Sequence, residues 1–200
     1  MRWCSDSQVL IPLLQELPDL HLTLFGRHDA DLTYTNVTNI SGDARILPEL
    51  IKVMKNQEVI YINSDNKKVT EILIDTMHKT GVKRIIQAGV LSVYGEVAEP
   101  FAVWNSRMMG GLVAHNRGAE ALEVSDLEYT YMRMTWLYNE ARNDHIASHK
   151  GEPFLGAQIT RCAPAKFVMD NVTEKRNDIR ASIGLWRPGS KNKSKPYFYR

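Results

Sequence analysis

The 200-residue sequence is short of cysteine, of long apolar runs and of any charge imbalance, and each shortage removes a class of protein. Cys4 and Cys162 are its 2 cysteines. They have no CxxC spacing and no third or fourth partner, so neither a disulfide framework nor a zinc knuckle is expected, and a reducing cytoplasm is the expected compartment. The most apolar early stretch, residues 9–14, is interrupted by Pro12 and followed by Gln15 and Glu16. It falls short of the ~18 to 20 apolar residues a membrane span needs, and no small-residue cleavage site follows an export-type apolar core. Lys plus Arg number 25 against 23 for Asp plus Glu, a formal charge of +2, and the basic residues are spread along the chain. Neither nucleic acid nor a membrane is expected as a partner. No repeat with a period of ~20 to 50 residues is present, which excludes a solenoid.

What is there is ordinary for a folded domain. Hydrophobic residues make up 44% and charged residues 24%, and the length suits one domain over residues 1–200, ending in a polar tail at 191–200. Apolar residues change period along the chain. Val9, Leu10, Leu13, Leu14 and Leu17 form one helical face that Pro18 ends. Residues 21–25 (HLTLF) and 36–41 read as strands. Ile46, Leu47, Leu50, Ile51 and Met54 repeat the helical stripe, and residues 59–62 (VIYI) form the continuous apolar run of a strand buried on both faces.

The alternation continues with a helix from Val69 to Met77 that Gly81 ends and a strand at 84–88 (RIIQA). A connection over residues 89–112 exceeds the ~12 to 15 residues usual for structureless loops, so it is functional or partly helical. A helix at 119–124, a strand at 128–134, a loop at 136–143, a short strand at 157–160, a helix at 165–171 and a strand at 182–186 complete the reading. Helices and apolar strands taking turns predict an α/β fold, a doubly wound and mostly parallel sheet, Rossmann-like, with its first βα element incomplete.

Ligands of such sheets lie beyond the carboxyl ends of the strands. The residues to read are therefore Gly26-Arg27, Gly42-Asp43-Ala44, Asn63-Ser64, Gly89 to Tyr94, and Thr135-Trp136. Arg27 stands where a dinucleotide fold usually carries an acid for the ribose 2′-hydroxyl. Its guanidinium matches a 2′-phosphate and so points to NADP, or it is a solvated arginine at a strand end. Asp43 accepts from an adenine amine or caps the following helix. Ser92 and Tyr94 form a hydroxyl pair able to polarise a carbonyl during hydride transfer, or they serve the turn. Trp104, Trp136 and Tyr138 make an aromatic wall over a nicotinamide, or pack together. His145 and His149 have the i, i+4 spacing of a metal pair on one helical face, but no HExxH accompanies them and no metal is expected.

The segments LTLFGR, ISGDA, VKRIIQAGVLSVYGEV, FAVWNSRMMGG, LEYTYMRMTWL, GEPFLG and RPGSKNKSKPYF, in that order, resemble the atypical short-chain dehydrogenases/reductases. More narrowly they resemble the small NmrA-like NAD(P)-binding Rossmann proteins of bacteria. The resemblance runs from Gln8 to Phe198 and is most specific between Val82 and Leu137. It implies a Rossmann fold binding NAD(P)H, with Arg27, Asp43, Asn63 and Ser92 at cofactor-side positions, Gly26, Ala44 and Ala88 beside them, and an oxidoreductase ancestry. Several relatives of this kind bind the dinucleotide without turnover.

Two departures from the pattern matter. Residues 1–7 (MRWCSDS) carry no GxxGxxG loop and no apolar strand ahead of the first helix, which is expected to weaken or abolish cofactor binding and to leave a central strand position empty. None of Tyr34, Tyr61, Tyr94, Tyr129, Tyr131 and Tyr138 has Lys four residues on, so the tyrosine–lysine pair of many short-chain dehydrogenases is missing. His115 and Arg117 occupy the region where relatives carry an aromatic and a basic residue, leaving His115, Tyr94 or solvent as proton donor. The expected function is hydride transfer from NAD(P)H, NADPH preferred, to a small carbonyl, quinone or flavin substrate. The alternatives are a non-catalytic dinucleotide sensor and a shortened form that binds no cofactor.

Overall fold

The computed structural model describes residues 7–27, 35–109 and 117–199. The calls on the glycine loop and on His115 lie outside these residues. Helix α1 (Ser7–Gln15) lays Leu10 and Leu14 into the core, two turns of the stripe seen in the sequence. Strands β1 (Leu22–Gly26) and β2 (Val37–Ser41) pair in parallel and are followed by α2 (Leu47–Met54). Strand β3 (Val59–Ile62) leads to α3 (Lys67–Thr80). The Asn66 side chain accepts from Val69 N at the start of α3, and Gly81 ends it in the left-handed conformation with φ 79.

Strand β4 (Arg84–Val90) is followed by α4 (Phe101–Met109), so the long connection is partly helical. Helix α5 (Gly118–Val124) precedes β5 (Glu128–Met134). Three elements differ from expectation. Residues 136–138, expected in a loop, form strand β6 (Trp136–Tyr138), which pairs in parallel with β8 (Gln158–Thr160). Residues 146–149, for which no element was expected, form strand β7 (Ile146–His149), so His145 and His149 do not share a helical face. Helix α6 (Cys162–Val172) starts earlier than its apolar stripe, and β9 (Ala181–Trp186) closes the sheet.

The main sheet has the order β3-β4-β5-β9-β7, with β7 antiparallel at one edge, and β1-β2 form a separate two-stranded sheet. Between the two sheets lies a cavity of about 160 Å³ bordered by Thr23 and Phe25 of β1 and by residues 59–62 of β3. Helices cover both faces. On one, α1 and α6 pack Leu10, Leu14, Ala163, Phe167 and Val168 against Ile86, Met132 and Ile183. On the other, α2, α3 and α5 contribute Leu50, Leu73, Met77 and Leu122 against Ile85, Tyr129 and Tyr131. Strands β4 and β5 lie between these layers, which accounts for their almost unbroken burial. Among the described residues no helix is long and apolar enough to cross a membrane.

Candidate functional site

A crevice of about 540 Å³ opens where the parallel strands end. Asn63, Ser64 and Asp65 follow β3, Ala88 to Leu91 end β4, and Met134 to Leu137 carry the chain from β5 into β6. Met109 of α4 and Arg161 complete its wall. The position is the one strand topology assigns to ligands, outside the carboxyl ends of the parallel strands.

The floor is braced by two buried polar groups. Gln87, fully buried in β4, donates to Ser64 O at 3.0 Å and to Thr70 Oγ1 at 3.0 Å, tying the β3–α3 turn to the sheet. Asp65 accepts from Gly118 N at 2.9 Å and from Tyr131 OH at 2.8 Å, with Arg117 Nη1 at 3.7 Å. Burial pushes the Asp65 carboxyl above its usual range against these opposing donors, and it pushes the Tyr131 phenol up as well. Gly118 has no room for a side chain, since a Cβ would come within 2.2 Å of Gln87 Nε2. None of these braces was expected from the sequence. Their members lie far apart along the chain, and the only local hint was Ser64-Asp65 ahead of a helix.

The loop after β4 is organised from below by Glu96. Its carboxylate accepts from Ser92 N and Tyr94 N, each at 3.0 Å, and lies 3.2 Å from Arg133 Nη1. Both side chains are almost wholly buried, at 0% exposed for Arg133 and 4% for Glu96. Arg133 Nη2 donates to Ser148 O at 2.9 Å and Ser182 O at 3.2 Å, so the loop is anchored through β5 to β7 and β9. Ser92 adopts φ 68, a conformation that costs a non-glycine residue energy and that the Glu96 contact holds.

Ser92 Oγ accepts from Asn105 Nδ2 at 3.2 Å, and Asn105 Oδ1 accepts from Trp136 Nε1 at 2.9 Å. That chain joins the loop, α4 and the crevice wall. Tyr94 requires a correction. Its hydroxyl donates to Glu123 Oε1 at 2.6 Å, its ring lies against Lys150 and Arg133, and burial raises its phenol well above the usual value. The proton-donor reading gives way to an anchoring one. Trp104 and Trp136 meet at 5.0 Å and are joined by Tyr199 of the tail, whereas Tyr138 turns to Tyr197 and Arg187.

The other predicted cofactor residues gather at the ends of β1 and β2. Gly42 N donates to Gly26 O at 2.8 Å, so Arg27 and Asp43 leave neighbouring strands side by side. Asp43 is not the helix cap, because Ile46 occupies that position. Its carboxylate accepts from Arg45 N and Nε, both at 2.9 Å, and that pairing lowers its pKa to about 2. Ala44 packs against the cluster of Leu50, Met54 and Leu73 and faces the cavity between the sheets rather than the crevice. Asn63 and Ala88 line the crevice, and Arg117 borders it through Asp65. His145 sits against the Phe167 ring at 5.9 Å, and burial lowers its pKa.

The residues present fit a dinucleotide. Thr135 Oγ1 is buried on the crevice wall with no hydrogen-bond partner among the described residues, as a polar contact for a ligand amide would be. Apolar Val90, Leu91, Met134 and Trp136 line the same space, whose size suits a small-molecule ligand. This topology and crevice define an NAD(P)-binding Rossmann protein. The chain belongs to an NAD(P)H-binding family, whose pattern it matches over residues 7–175.

Solved structures agree in fold. A short-chain dehydrogenase/reductase from Veillonella parvula superposes with a TM-score of 0.90 at 24% identity, over 97% of this chain and 94% of that one. A wide-type short-chain dehydrogenase/reductase of the same organism, in complex with NADP, gives 0.88 at 25% identity, over 96% and 94%. A Rossmann-fold NAD(P)-binding family protein from Shigella flexneri gives 0.77 at 27% identity, over 96% and 93%. Among curated proteins none matches.

Proposed function

We propose that this protein is a cytoplasmic, NADPH-preferring oxidoreductase of the atypical short-chain, NmrA-like type, acting on a small carbonyl, quinone or flavin substrate. The observation that carries the reading is the crevice at the ends of β3, β4 and β5, with Asn63, Ala88 and the orphaned Thr135 hydroxyl on its walls. When bound, the reduced nicotinamide supplies a hydride. Arg27, exposed at the end of β1, holds the 2′-phosphate with its planar donor fork, with Gly26 and Asp43 beside the adenine ribose. Asn63 and Ala88 border the nicotinamide half, and Arg117 fixes the Asp65 brace beneath it. The apolar wall of Leu91, Met134 and Trp136 excludes water from the reacting atoms. Ser92, fixed by Asn105, hydrogen-bonds the substrate carbonyl, and the proton that completes the reduction comes from solvent.

A sensor that binds the dinucleotide without turnover is the second reading. It is favoured by the engagement of the Tyr94 and Tyr131 hydroxyls with Glu123 and Asp65. Fluorescence titration with NADPH and NADH tests cofactor binding, and no binding at millimolar concentration would overturn both readings. NADPH oxidation across aldehyde, quinone and flavin panels then separates them. Turnover with any class supports the enzyme; binding with no turnover supports the sensor.

A further inference from the structure

The C-terminal tail encloses a second hollow, of about 450 Å³, which shares no lining residue with the crevice. Residues 187–197 (RPGSKNKSKPY) leave β9 and return as a loop whose two ends are tied to one residue of β8. Arg187 N donates to Gln158 O at 2.8 Å, and Tyr197 N donates to Gln158 Oε1 at 2.8 Å. Between them Ser190 N donates to Arg187 O at 3.1 Å across a turn that places Gly189 at φ 81, and Asn192 N donates to Leu155 O at 3.0 Å. Backbone contacts therefore fix the loop, and its lysines take no part in holding it.

The loop carries Arg187, Lys191, Lys193 and Lys195 and no acid, in a chain whose charges otherwise nearly cancel. Arg187, Lys193 and Lys195 line the hollow, and no Asp or Glu does. Lys193 and Lys195 make no ion pair or hydrogen bond with any described residue. Arg187 Nη1 turns to Tyr138 OH and lies 3.5 Å from Glu140, an acid that also accepts from Tyr197 OH at 3.2 Å. The Nε and Nη2 of the same guanidinium hydrogen-bond no described residue. Three cations around one hollow repel one another, and an anion between them reverses the sign of each interaction.

Gln158 gives the hollow a direction. It is 6% exposed, and its Oε1 faces Tyr197 N because a backbone N–H requires an acceptor. The Nε2 at the other side of that amide is a buried donor with no hydrogen-bond partner among the described residues. A buried amide donor, two ammonium groups and a guanidinium complement an anion with several oxygens. A carboxylate, with one charge and two oxygens, matches one of these groups; a phosphate dianion, with three terminal oxygens, matches the set. The volume exceeds that of a bare phosphate and suits a small molecule that carries one.

We propose that the tail hollow binds the phosphate group of a small phosphorylated molecule, at a site separate from the crevice. Calorimetric titration of the full chain with glycerol 3-phosphate and with inorganic phosphate tests it, with a thermal melt of each variant confirming folding. The wild type is expected to show saturable binding of both that weakens with added NaCl. The double variant Lys193→Gln/Lys195→Gln is expected to weaken it about tenfold or more, as for loss of charge-assisted contacts. Lys191→Gln, whose side chain does not line the hollow, is expected to stay within about twofold. Gln158→Glu keeps the acceptor for Tyr197 N and replaces the unpaired donor with a carboxylate, and it is expected to abolish binding. If that variant unfolds, the double lysine variant decides.

Absence of binding by the wild type would overturn the assignment. So would equal losses from Lys191→Gln and the double variant, which would show diffuse attraction to a basic tail. A loss confined to Arg27→Ala would place the phosphate at the end of β1 and refute the hollow. Binding of an eight-residue oligothymidylate without binding of glycerol 3-phosphate would make the tail a nucleic-acid surface and refute it too. Binding of glycerol 3-phosphate that depends on the two lysines supports this site even where neither dinucleotide binds, an outcome that refutes the cofactor reading alone.

Discussion

Two groups of strand ends in this fold are built in opposite ways. At the ends of β1 and β2, Arg27 is exposed, Arg45 is 67% exposed, and Asp43 pairs with Arg45 at the surface. At the ends of β4 and β5, Glu96 and Arg133 are buried and fixed through carbonyls of two further strands, β7 and β9. Surface charges contribute little to folding, so the first region can change with little cost in stability. The second is part of the core, so its loop geometry cannot change without a cost in stability. The exposed and the buried charge clusters thus stand at the ends of strands in two different sheets.

The comparison breaks most severely at Arg133. Arg133→Met leaves the Glu96 carboxylate buried and uncompensated, and the expected loss is ~3–5 kcal/mol, read from the urea midpoint. An unchanged midpoint would mean that the pair does not anchor the loop. Next comes Gly89→Ala, whose new Cβ would meet the Tyr131 ring at 2.1 Å. Overpacking of this kind costs ~1–3 kcal/mol, and a melting temperature equal to wild type would show that the ring can move.

At the exposed end the expectations reverse. Arg27→Ala should leave stability within ~0.5 kcal/mol while the NADPH affinity falls about tenfold, toward that for NADH. A preserved NADPH:NADH ratio would remove Arg27 from the 2′-phosphate site. The smallest effects concern protonation. Burial against Phe167 lowers the His145 pKa below its ordinary 6.5, so the unfolded chain binds more protons there. Its contribution is present above 6.5 and is lost as pH falls through the folded value. Melting temperatures measured from pH 7 downward should show a decline that His145→Phe flattens, with a slope of at most about one proton. The Asp43–Arg45 pair has the same sign at lower pH. Its contribution is present above 3.8 and lost as pH falls through about 2.

Much of the scaffold was legible because its signals are local. The stripe from Leu47 to Met54, the run at β3 and the glycine after α3 each act within one element. Strands β6 and β7 were not legible. Trp136 to Tyr138 is too short to show a period, and Ile146 to His149 (IASH) sets two apolar residues before two polar ones, without the alternation that marks a half-buried strand. At the site, strand-end logic and the family resemblance led to Asn63 and Ala88, which line the crevice, and to Arg27 and Asp43, which leave adjacent strands together. It could not anticipate that Tyr94 turns to Glu123, 29 positions away. Nor could it place Arg161 on the crevice wall, since no local pattern distinguishes it from a surface arginine.

The sequence by itself determined the class of the protein. Apolar period, turn glycines and strand ends are properties of neighbouring residues, and they suffice for an α/β domain with a ligand site at one edge. Tertiary structure alone decided which side chains face that site. Tyr131 reaches Asp65 across 66 positions and Gly118 reaches it across 53, and each contact exists only because parallel strands bring distant segments into register. Burial then fixes what those groups do, since a carboxylate or guanidinium enclosed in the core holds whatever partner the fold sets beside it.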